Sequence, residues 1–404
     1  MLPLDEAFAK VGEGIPVLSF EQQSVSESLG RVLAEDVAAR LTQPPTAVSS
    51  MDGYAVRSED VLNQPVTLIR IGESQAGGPF DGAVAAGQCV RIFTGAPMPE
   101  GCDAVIMQED CDVVGDRITM KEVAFKGKFM RRAGLDFNKG DILLKKGQLL
   151  NARDIGLLCA MNVPWVKVYR KPRIAILATG DELVMPGESV QESQIISSNS
   201  LMIAAMVQAM GGIAINLGIA QDSEESLRET LEGLEGADLL VTSGGVSVGE
   251  YDLVRKVLGD EGLNIDFWRI AMKPGKPFMF GHIGNKPAMG LPGNPVSSYI
   301  TAFLFLRPAL RKMQGGAFQQ DQPVRAILGA DVPANTTRQE YRRAVFSKDL
   351  NGRLVATPYD KQDSSMLANL AACEGFIIRP INSPALKAGE QTDVIYVADS
   401  HLSI

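Results

Sequence analysis

The sequence predicts a multidomain protein of the α/β plus β class, with a three-layer α/β/α central domain and a mostly parallel sheet. Buried-strand runs alternate with helical patterns between Pro172 and Met313, which is typical of a parallel sheet covered by helices on both faces. Short strand-like runs separated by Gly- and Pro-rich turns fill residues 66–123 and return after Gln322. These runs predict a small β-rich insert domain and a C-terminal β-barrel-like domain.

The N-terminal part of the chain shows helical rather than strand spacing. Apolar residues recur every three or four positions in residues 4–11 and 26–37, and Asn151 is suited to cap a third helix over 152–162. We expect the third helix to pack against the first two, which makes this domain discontinuous. The predicted domains are 1–43 with 140–170 (N-terminal), 44–139 (β-rich), 171–320 (α/β) and 321–404 (C-terminal β domain).

Composition excludes several classes of function. The chain has 404 residues and a formal net charge of −9, which argues against nonspecific nucleic-acid binding because no basic excess is present to displace counterions. Its 5 cysteines include no C-x-x-C pair, so neither a zinc site nor a disulfide framework is indicated. No signal peptide and no apolar run near the ~20 residues that span a bilayer are visible. We therefore expect a cytoplasmic protein with reduced thiols and no membrane contact.

The chain contains few histidines that could act as catalytic bases or metal ligands. Only His282 and His401 are present, so a Ser-His-Asp triad or a histidine-rich metal site is not predicted. A bound metal should be a hard cation held by carboxylates and phosphate oxygens. This favours Mg²⁺.

The stretch DLLVTSGGVSVGEYD, residues 238–252, is the strongest local signal. A short apolar run predicts a buried strand, which then breaks into a loop containing Gly244, Gly245 and Ser247. Glycines let consecutive backbone N–H groups point together at an anion, and Asp252 adds a carboxylate beside the loop. Such a loop at the carboxyl end of a strand is where open α/β sheets bind ligands, although a Gly-rich turn without a ligand has the same pattern. The loop predicts a site for a phosphate-bearing small molecule.

Three more loops and one carboxylate at the end of a strand are expected at the same sheet edge. Glu182 follows one predicted strand and Asp222 ends the next, while Lys273 and Lys276 lie on a Pro-Gly turn where their ammonium groups suit phosphate. The Pro-Gly-Asn-Pro turn of 291–298 opens a helix whose N–H groups favour an anion. Taken alone, each feature also fits an ordinary structural role. Asp222 suits the cap of a helix, the two lysines suit solvated surface charges, and the Pro-Gly turn suits a plain connection between two elements. Together they predict one edge where glycines, lysines and carboxylates converge.

These motifs resemble the molybdopterin molybdenumtransferase family, whose members include the C-terminal domain of gephyrin. The resemblance covers nearly the whole chain, and its motifs occur in the family's order: SMDGYAVR (50–57), IFTGAPMPEGCDAVIMQE (92–109), RRAGLD (131–136), ATGDEL (178–183), SGGVSVGEYD (243–252), KPGKP (273–277) and GLPGNPVS (290–297).

The resemblance implies an enzyme of molybdenum cofactor biosynthesis. It would take adenylylated molybdopterin and molybdate, cleave the pyrophosphate with Mg²⁺ and release AMP. It implies four domains, of which the α/β domain (171–320) binds molybdopterin. It also implies a homodimer whose active site joins the α/β domain to the β-rich domain of the partner subunit. A molybdopterin adenylyltransferase is implied as a further partner. The implied catalytic residues, with Glu182, Asp222 and Asp252 also as metal ligands, are Asp52, Thr94, Asp136, Glu182, Asp222, Asp252, Lys273, Lys276 and Ser365. The implied substrate-binding residues are Gly244, Gly245, Ser247, Pro292, Gly293 and Pro295.

Several choices stay open at this point. Ser364 fits the serine position as well as Ser365, and Thr46 and Val48 stand where the family usually has an aromatic residue and an asparagine. An adenylyltransferase that transfers AMP from ATP could use the same loops, and a non-catalytic scaffold is a further alternative. Molybdenum and tungsten are equally compatible with the motifs, which also leave open where molybdate binds before transfer.

Overall fold

The computed structural model describes residues 1–221, 223–244, 257, 259–260 and 262–397. Its centre is a six-stranded sheet in which the first four strands run parallel and the fifth is antiparallel to both of its neighbours. The predicted mostly parallel sheet is therefore confirmed. In spatial order the strands are Ile213–Ala220, Arg173–Thr179, Leu239–Ser243, Lys286–Leu291, Pro277–Ile283 and Leu263–Arg269.

Helices cover both faces of this sheet. Along the strand Arg173–Thr179, Ile174 and Ile176 pack on one face and Ala175 and Leu177 on the other, as the alternation of a strand requires. The first face carries Asn199–Ala209 and the helical run 295–313, and the second carries Glu224–Leu231. This is the predicted three-layer arrangement. The sequence also predicts a helix over 251–258, and all of these residues except Val257 lie outside the described ranges.

The helix predicted over 296–313 is one buried helical run with a π-helical turn. It consists of the α-helix Pro295–Thr301, the π-helix Ala302–Leu306 and the α-helix Arg307–Met313. Every residue of the π-helical part is buried, so this run fills the space between the sheet and the C-terminal domain.

The β-rich domain is a second six-stranded sheet. The four strands predicted within 66–123 are confirmed, and two others, Gly53–Val56 and Cys111–Val114, were not predicted. Gly53 has to be a glycine because a Cβ there would lie 2.0 Å from the carbonyl oxygen of Ile106. In spatial order the strands are Ala104–Met107, Gly53–Val56, Gln88–Ile92, Val66–Ser74, Arg117–Met120 and Cys111–Val114.

The N-terminal region confirms two of its three predicted helices. Leu4–Gly14 is a helix, and Ala152–Ala160 begins with a capping box at Asn151, whose side chain accepts from the N–H groups of Arg153 and Asp154. The helix predicted over 26–37 is wrong: the chain makes a single 3₁₀ turn at Val25–Glu27 and then isolated bridges.

The packing of these helices also differs from the expectation. The Leu4–Gly14 helix packs against the α/β layer rather than against Ala152–Ala160. One apolar cluster does join residues 25–39 to residues 137–168, which is consistent with a discontinuous domain. The exact domain boundaries stay a prediction.

The C-terminal domain is a closed five-stranded β-barrel, as expected. The barrel closes because Gln339–Lys348 pairs with both Leu354–Pro358 and Gly375–Arg379. Asn351 and Gly352 form the predicted hairpin turn between the first two of these strands, with Gly352 at φ +76°. The remaining barrel strands are Val324–Leu328 and Gln391–Tyr396.

Shorter elements complete the described part of the chain. Leu367–Ala371 is a helical turn beside the barrel. None of the helices in the described ranges is long and apolar enough to cross a membrane. The short strands are Phe20–Ser24, Val37–Ala38, Val48–Ser49, Met130–Arg131, Ile142–Leu144, Trp165–Tyr169, Leu183–Val184, Ile195–Ile196 and Met272–Lys273, and the further 3₁₀ turns are Ser58–Val61, Gln108–Asp110 and Glu232–Leu234.

Candidate functional site

A cleft of about 610 Å³ lies at the carboxyl ends of the parallel strands. This is the edge at which an open α/β sheet binds its ligand, because the loops that follow neighbouring strands meet there. We call it the large cleft. Six of the residues singled out in the sequence line it: Glu182, Gly244, Pro292, Gly293, Pro295 and Ser365.

Two glycine loops form the floor of the large cleft and approach each other closely. Gly244 has φ +94°, and a Cβ there would lie 2.8 Å from the carbonyl oxygen of Thr179. A Cβ on Gly293 would lie 3.9 Å from the Cα of Gly244. Side chains in either loop would therefore fill the space over the backbone, which is the arrangement that lets backbone N–H groups reach a phosphate.

Asn199 ties the two loops together. Its Nδ2 donates to Ser243 Oγ at 2.9 Å and to the carbonyl oxygen of Gly293 at 2.7 Å. Its position at the start of a buried apolar helix gave no functional signal, and sequence reasoning missed it. The double hydrogen bond fixes the spacing of the loops before any ligand binds.

Glu182 supplies the described carboxylate at this edge. Its side chain is exposed and folds back over Gly180, where a Cβ would lie 2.5 Å from Oε2. An exposed carboxylate oxygen is a donor that fits Mg²⁺, which takes one or two carboxylates and completes its shell with water and substrate phosphate. Within the described ranges no group of three His, Cys, Asp or Glu side chains is placed to hold a metal. The other predicted ligands and loop residues, Asp222, Asp252, Gly245 and Ser247, lie outside the described residues.

A second cleft, of about 350 Å³, adjoins the large one and contains both predicted lysines. We call it the lysine cleft. Lys273, Lys276 and Arg338 line it, and it shares Pro277 and Ser297 with the large cleft. The two spaces are therefore neighbours along a single edge.

A buried carboxylate holds one of these lysines. Lys273 Nζ lies 3.0 Å from Oε1 of Glu340, whose side chain is only 5% exposed. The same oxygen is 3.2 Å from Nη1 of Arg342. Glu340 comes from a barrel strand more than sixty residues after Lys273, so no local pattern connected the two.

A loop of the barrel separates the two clefts. Val296 N donates to the carbonyl oxygen of Ser364 at 3.0 Å, and Asn294 Nδ2 donates to Ser364 Oγ at 2.9 Å. Ser364 faces the lysine cleft, whereas Ser365 faces the large cleft. The two serines that the motif could not distinguish thus lie on opposite sides of one wall, which we call the serine wall (residues 361–366).

Arg343 holds the serine wall from beneath. Its side chain is buried, Nη1 donates to the carbonyl oxygen of Met366 at 2.9 Å, and Nη2 donates to that of Asp363 at 2.8 Å. Burial lowers the pKa of the Arg343 guanidinium. Ser365 donates to Asp363 Oδ1 from its hydroxyl at 2.6 Å and from its N–H at 2.8 Å, and these two bonds lower the pKa of Asp363.

Asp52 and Thr94 lie together on the β-rich domain. The N–H and the hydroxyl of Thr94 donate to Asp52 Oδ1 at 2.7 Å and 2.8 Å. These bonds, with a smaller contribution from the charge of Arg91, lower the pKa of the exposed Asp52 carboxyl. The pairing keeps this carboxylate ionised and oriented.

Asp136 lines a third cleft, of about 540 Å³, that shares no lining residue with the other two. Thr46 and Val48 form part of its wall, together with Gly95, the residue after Thr94. Within one chain, the predicted site residues that the structure describes therefore fall into two groups. One lies along the α/β sheet edge and the serine wall, and the other lies on the β-rich domain.

Comparison with known proteins gives a consistent family. The chain matches the MoeA N-terminal region (domain I and II) over residues 2–162, a probable molybdopterin binding domain over 175–312, and the MoeA C-terminal region (domain IV) over 325–397. It is 36% identical to the molybdopterin molybdenumtransferase of Haemophilus influenzae over 98% of both chains. It is also 31% identical to the gephyrin of Dictyostelium discoideum, over 98% of this chain and 62% of that protein.

A solved structure extends the similarity to the fold. A molybdopterin biosynthesis moeA protein from Pyrococcus horikoshii superposes with a TM-score of 0.86 at 32% identity, covering 98% of this chain and 99% of that one. The similarity in fold therefore extends over nearly the whole of both chains. The chain belongs to the molybdopterin molybdenumtransferase family, the enzymes that act in molybdenum cofactor biosynthesis.

Proposed function

We propose that this protein transfers molybdenum from molybdate to adenylylated molybdopterin in the cytoplasm, with Mg²⁺-dependent pyrophosphate cleavage and release of AMP. The observation that carries the proposal is the pair of adjoining clefts. One has a floor of glycine loops suited to phosphates, and the other has a wall of cations suited to an oxyanion. Neighbouring spaces of these two kinds are what a reaction between a nucleotide-linked substrate and molybdate requires.

The residues of the large cleft would hold the pyrophosphate. At Gly244 and Gly293 the absence of side chains would let phosphate oxygens approach the backbone closely, because a Cβ at either position would fill that space. Glu182, with Asp222 and Asp252, would hold Mg²⁺, which when bound neutralises charge that builds on the phosphate oxygens during cleavage. Because neither histidine belongs to a site motif, proton transfer would fall to carboxylates and water.

The lysine cleft would hold molybdate. Lys273 is fixed by Glu340, while Lys276 and Arg338 line the same cleft. The hydroxyl of Ser364 adds a donor on the serine wall. An oxyanion bound there lies directly beside the large cleft, because the two share Pro277 and Ser297.

The β-rich domain of a second subunit would complete the site. Asp52 and Thr94 carry oriented polar groups, and the cleft that Asp136 lines has no lining residue in common with the sheet edge of the same chain. A homodimer in which each β-rich domain faces the partner's sheet edge would bring the groups together. Mixed dimers test this: subunits with Asp52→Asn combined with subunits carrying Asp252→Asn should regain about a quarter to a half of wild-type activity, whereas either variant alone stays inactive.

The direct test incubates the purified protein with adenylylated molybdopterin, Mg²⁺ and molybdate, and measures AMP and active cofactor. We expect molybdate-dependent AMP release that is lost in Asp222→Asn and Asp252→Asn, with the fold intact. Lys276→Ala should raise the molybdate concentration needed for half-maximal rate, and Lys348→Ala, an exposed lysine on the barrel, serves as the control. AMP release that does not depend on molybdate would contradict the proposal, and consumption of ATP would indicate an adenylyltransferase instead.

A further inference from the structure

We infer that Arg170 and Asp238 are positioning residues for this reaction. Their ion pair fixes the angle at which one subunit holds its β-rich domain toward the sheet edge of the partner. This role rests on the proposed function, in which two subunits share each active site, and it concerns two residues that line none of the three clefts. Three features support it: the way the chain joins the domains, the geometry of the ion pair and its distance from the clefts.

The β-rich domain is an insertion that the N-terminal domain carries. Among the described residues, its apolar clusters use only those of 54–129, whereas the N-terminal cluster joins residues 25–41 to 137–168. We call the two domains together the arm, residues 20–169. The arm can present Asp52 and Thr94 to a partner subunit in one position only if its angle to the α/β domain is fixed.

The chain crosses between the arm and the α/β domain twice. The first crossing lies between Leu18, whose N–H donates to the carbonyl oxygen of Met313 at 2.9 Å, and the arm strand Phe20–Ser24. The second follows the arm strand Trp165–Tyr169 and ends at the α/β strand Arg173–Thr179. The two arm strands pair with each other, so both crossings lie side by side at one joint.

Arg170 ties both crossings to the α/β domain. Its guanidinium forms a two-pronged ion pair with Asp238, with Nη1 at 2.6 Å from Oδ2 and Nη2 at 2.5 Å from Oδ1. Its Nε donates to Ser19 Oγ at 3.1 Å, and its backbone N–H donates to the carbonyl oxygen of Ser19 at 3.0 Å. Ser19 lies in the first crossing and Arg170 in the second, while Asp238 directly precedes the sheet strand Leu239–Ser243. One side chain therefore holds three segments together.

The geometry of this pair resists rotation at the joint. Oδ2 of Asp238 also accepts from the N–H of Arg173 at 2.8 Å, and the N–H of Asp238 donates to the carbonyl oxygen of Arg173 at 2.7 Å. The Asp238 side chain is only 12% exposed. A paired, charge-assisted contact between a planar guanidinium and a fixed carboxylate is stronger and more directional than an exposed ion pair. We therefore expect the arm to keep one angle while the pair is intact.

The pair lies too far from the clefts to act on the substrate directly. Asp238 precedes the strand Leu239–Ser243 and Gly244 follows it, which separates them by about 20 Å at ~3.3 Å per residue. An effect on the reaction must therefore pass either along this strand or through the arm. Rotation at the joint moves the far end of the arm most, and a displacement of about 1 Å at reacting groups can cost a factor of about a hundred in rate.

The test uses the mixed dimers described above, in which only one of the two sites can work. The Asp52→Asn subunit supplies the sheet edge of that site, and the Asp252→Asn subunit supplies its arm. Asp238→Asn added to the arm-supplying subunit should lower molybdate-dependent AMP release about tenfold, the factor that one charge-assisted hydrogen bond contributes. Added to the edge-supplying subunit, whose arm is already disabled, it should leave the release unchanged. Asp260→Asn, which breaks a surface pair with Arg228 (2.8 Å) inside the α/β domain, is the matched control in both placements.

Arg170→Lys tests the same pair from the side of the arm. Lysine keeps the charge but lacks the fork, so this variant in the arm-supplying subunit should give a similar loss. Combined with Asp238→Asn in that subunit, it should lose no more than either change alone, because both remove one contact. The ring of Tyr169 still packs against Gly315, where a Cβ would lie 2.1 Å from it, so the joint should stay assembled. Should one variant fail to fold, the other decides alone.

Loss of activity with Asp238→Asn in the edge-supplying subunit would mean that Asp238 supports the Gly244 loop through its strand, which would overturn the inference. Equal loss in both placements, or no loss in either, would overturn it as well, and so would additive losses in the combined variant. Mixed dimers without any added change distinguish this failure from failure of the proposed function, because without a shared site they would regain no activity at all.

Discussion

Replacing Arg343 with lysine should loosen the serine wall while leaving the barrel folded. Arg343 is buried and uses two nitrogens at once, donating to the carbonyl oxygens of Asp363 and Met366 at 2.8 Å and 2.9 Å. Lysine keeps the positive charge, but its single nitrogen cannot reproduce the rigid two-nitrogen fork of the guanidinium, so we expect at least one of these two bonds to be lost. The lost hydrogen bond involves a charged donor and is worth about 1.5–3 kcal/mol.

The lost hydrogen bond should make the serine wall open more often, and hydrogen exchange measures how often it opens. A change of this size corresponds to about a 10–100-fold increase in the population of the open wall, at ~1.4 kcal/mol per factor of ten. Hydrogen exchange should therefore accelerate by this factor in peptides that cover residues 361–367. It should also accelerate at Val296, whose N–H is bonded to Ser364. Exchange in the β-rich domain should not change.

The activity of Arg343→Lys should fall together with the protection of the wall. Because Ser364 and Ser365 face different clefts, a mobile wall should raise the KM for both molybdate and the adenylylated substrate. Arg325→Lys is the matched control: Arg325 is 73% exposed and pairs with Asp393 at 3.2 Å, a surface contact worth about 0–1 kcal/mol. Wild-type exchange with wild-type turnover in Arg343→Lys would refute the role given to the arginine.

Three further predictions concern single contacts. Thr94→Val removes a hydroxyl that lowers the pKa of Asp52, so that pKa should rise toward its ordinary value of 3.8 and the acidic loss of kcat/KM should begin at a higher pH; an identical pH profile would contradict this. Ser364→Ala should raise the KM for molybdate and Ser365→Ala the KM for the adenylylated substrate, each several-fold in steady-state assays, and the reverse pattern would show that the two clefts are wrongly assigned. Asn151→Ala removes the helix cap and should lower the free energy of unfolding by about 1 kcal/mol in urea denaturation, whereas unchanged stability would mean that the cap is dispensable.

The residues of the sheet edge could be predicted from the sequence because each lies directly after the strand that positions it. Each buried strand is a short apolar run, and each is followed at once by its functional loop, as Thr179 is by Glu182 and Leu291 by Pro292. Parallel strands bring such loops to one edge whatever the order of the strands. The convergence of Glu182, Gly244 and Pro292 in the large cleft therefore needed no knowledge of the sheet topology.

Residues 26–37 show where local spacing misleads. Their apolar residues recur at helical intervals, but Gly30 adopts φ +72° and interrupts any helix. Val32 and Leu33 instead make isolated bridges to Leu149 and Val168, contacts with residues more than a hundred positions away. A burial pattern set by such distant partners cannot be distinguished from helical periodicity within one short window.

The same limit applies to the second half of the site. Arg338, Glu340 and Arg343 come from the barrel, and their link to Lys273 exists only because the barrel docks against the sheet edge. None of the three lies in a motif with recognisable chemistry. Sequence reasoning thus found the residues with which the α/β domain lines the candidate site. It missed the barrel residues that position them.

The lysine cleft has an excess of positive charge although the protein as a whole is acidic. A chain with net charge −9 repels anions at long range, so an oxyanion needs cations placed locally. The α/β domain contributes only Lys273 and Lys276 to this cleft, and the barrel adds Arg338 and the buried Arg343. Against these four cations stand two carboxylates, Glu340 and Asp363, both engaged in hydrogen bonds or ion pairs. The lining therefore carries two more cations than carboxylates. The barrel's own two arginines and two carboxylates balance, so this excess comes from Lys273 and Lys276, and the barrel fixes Lys273 in place through Glu340.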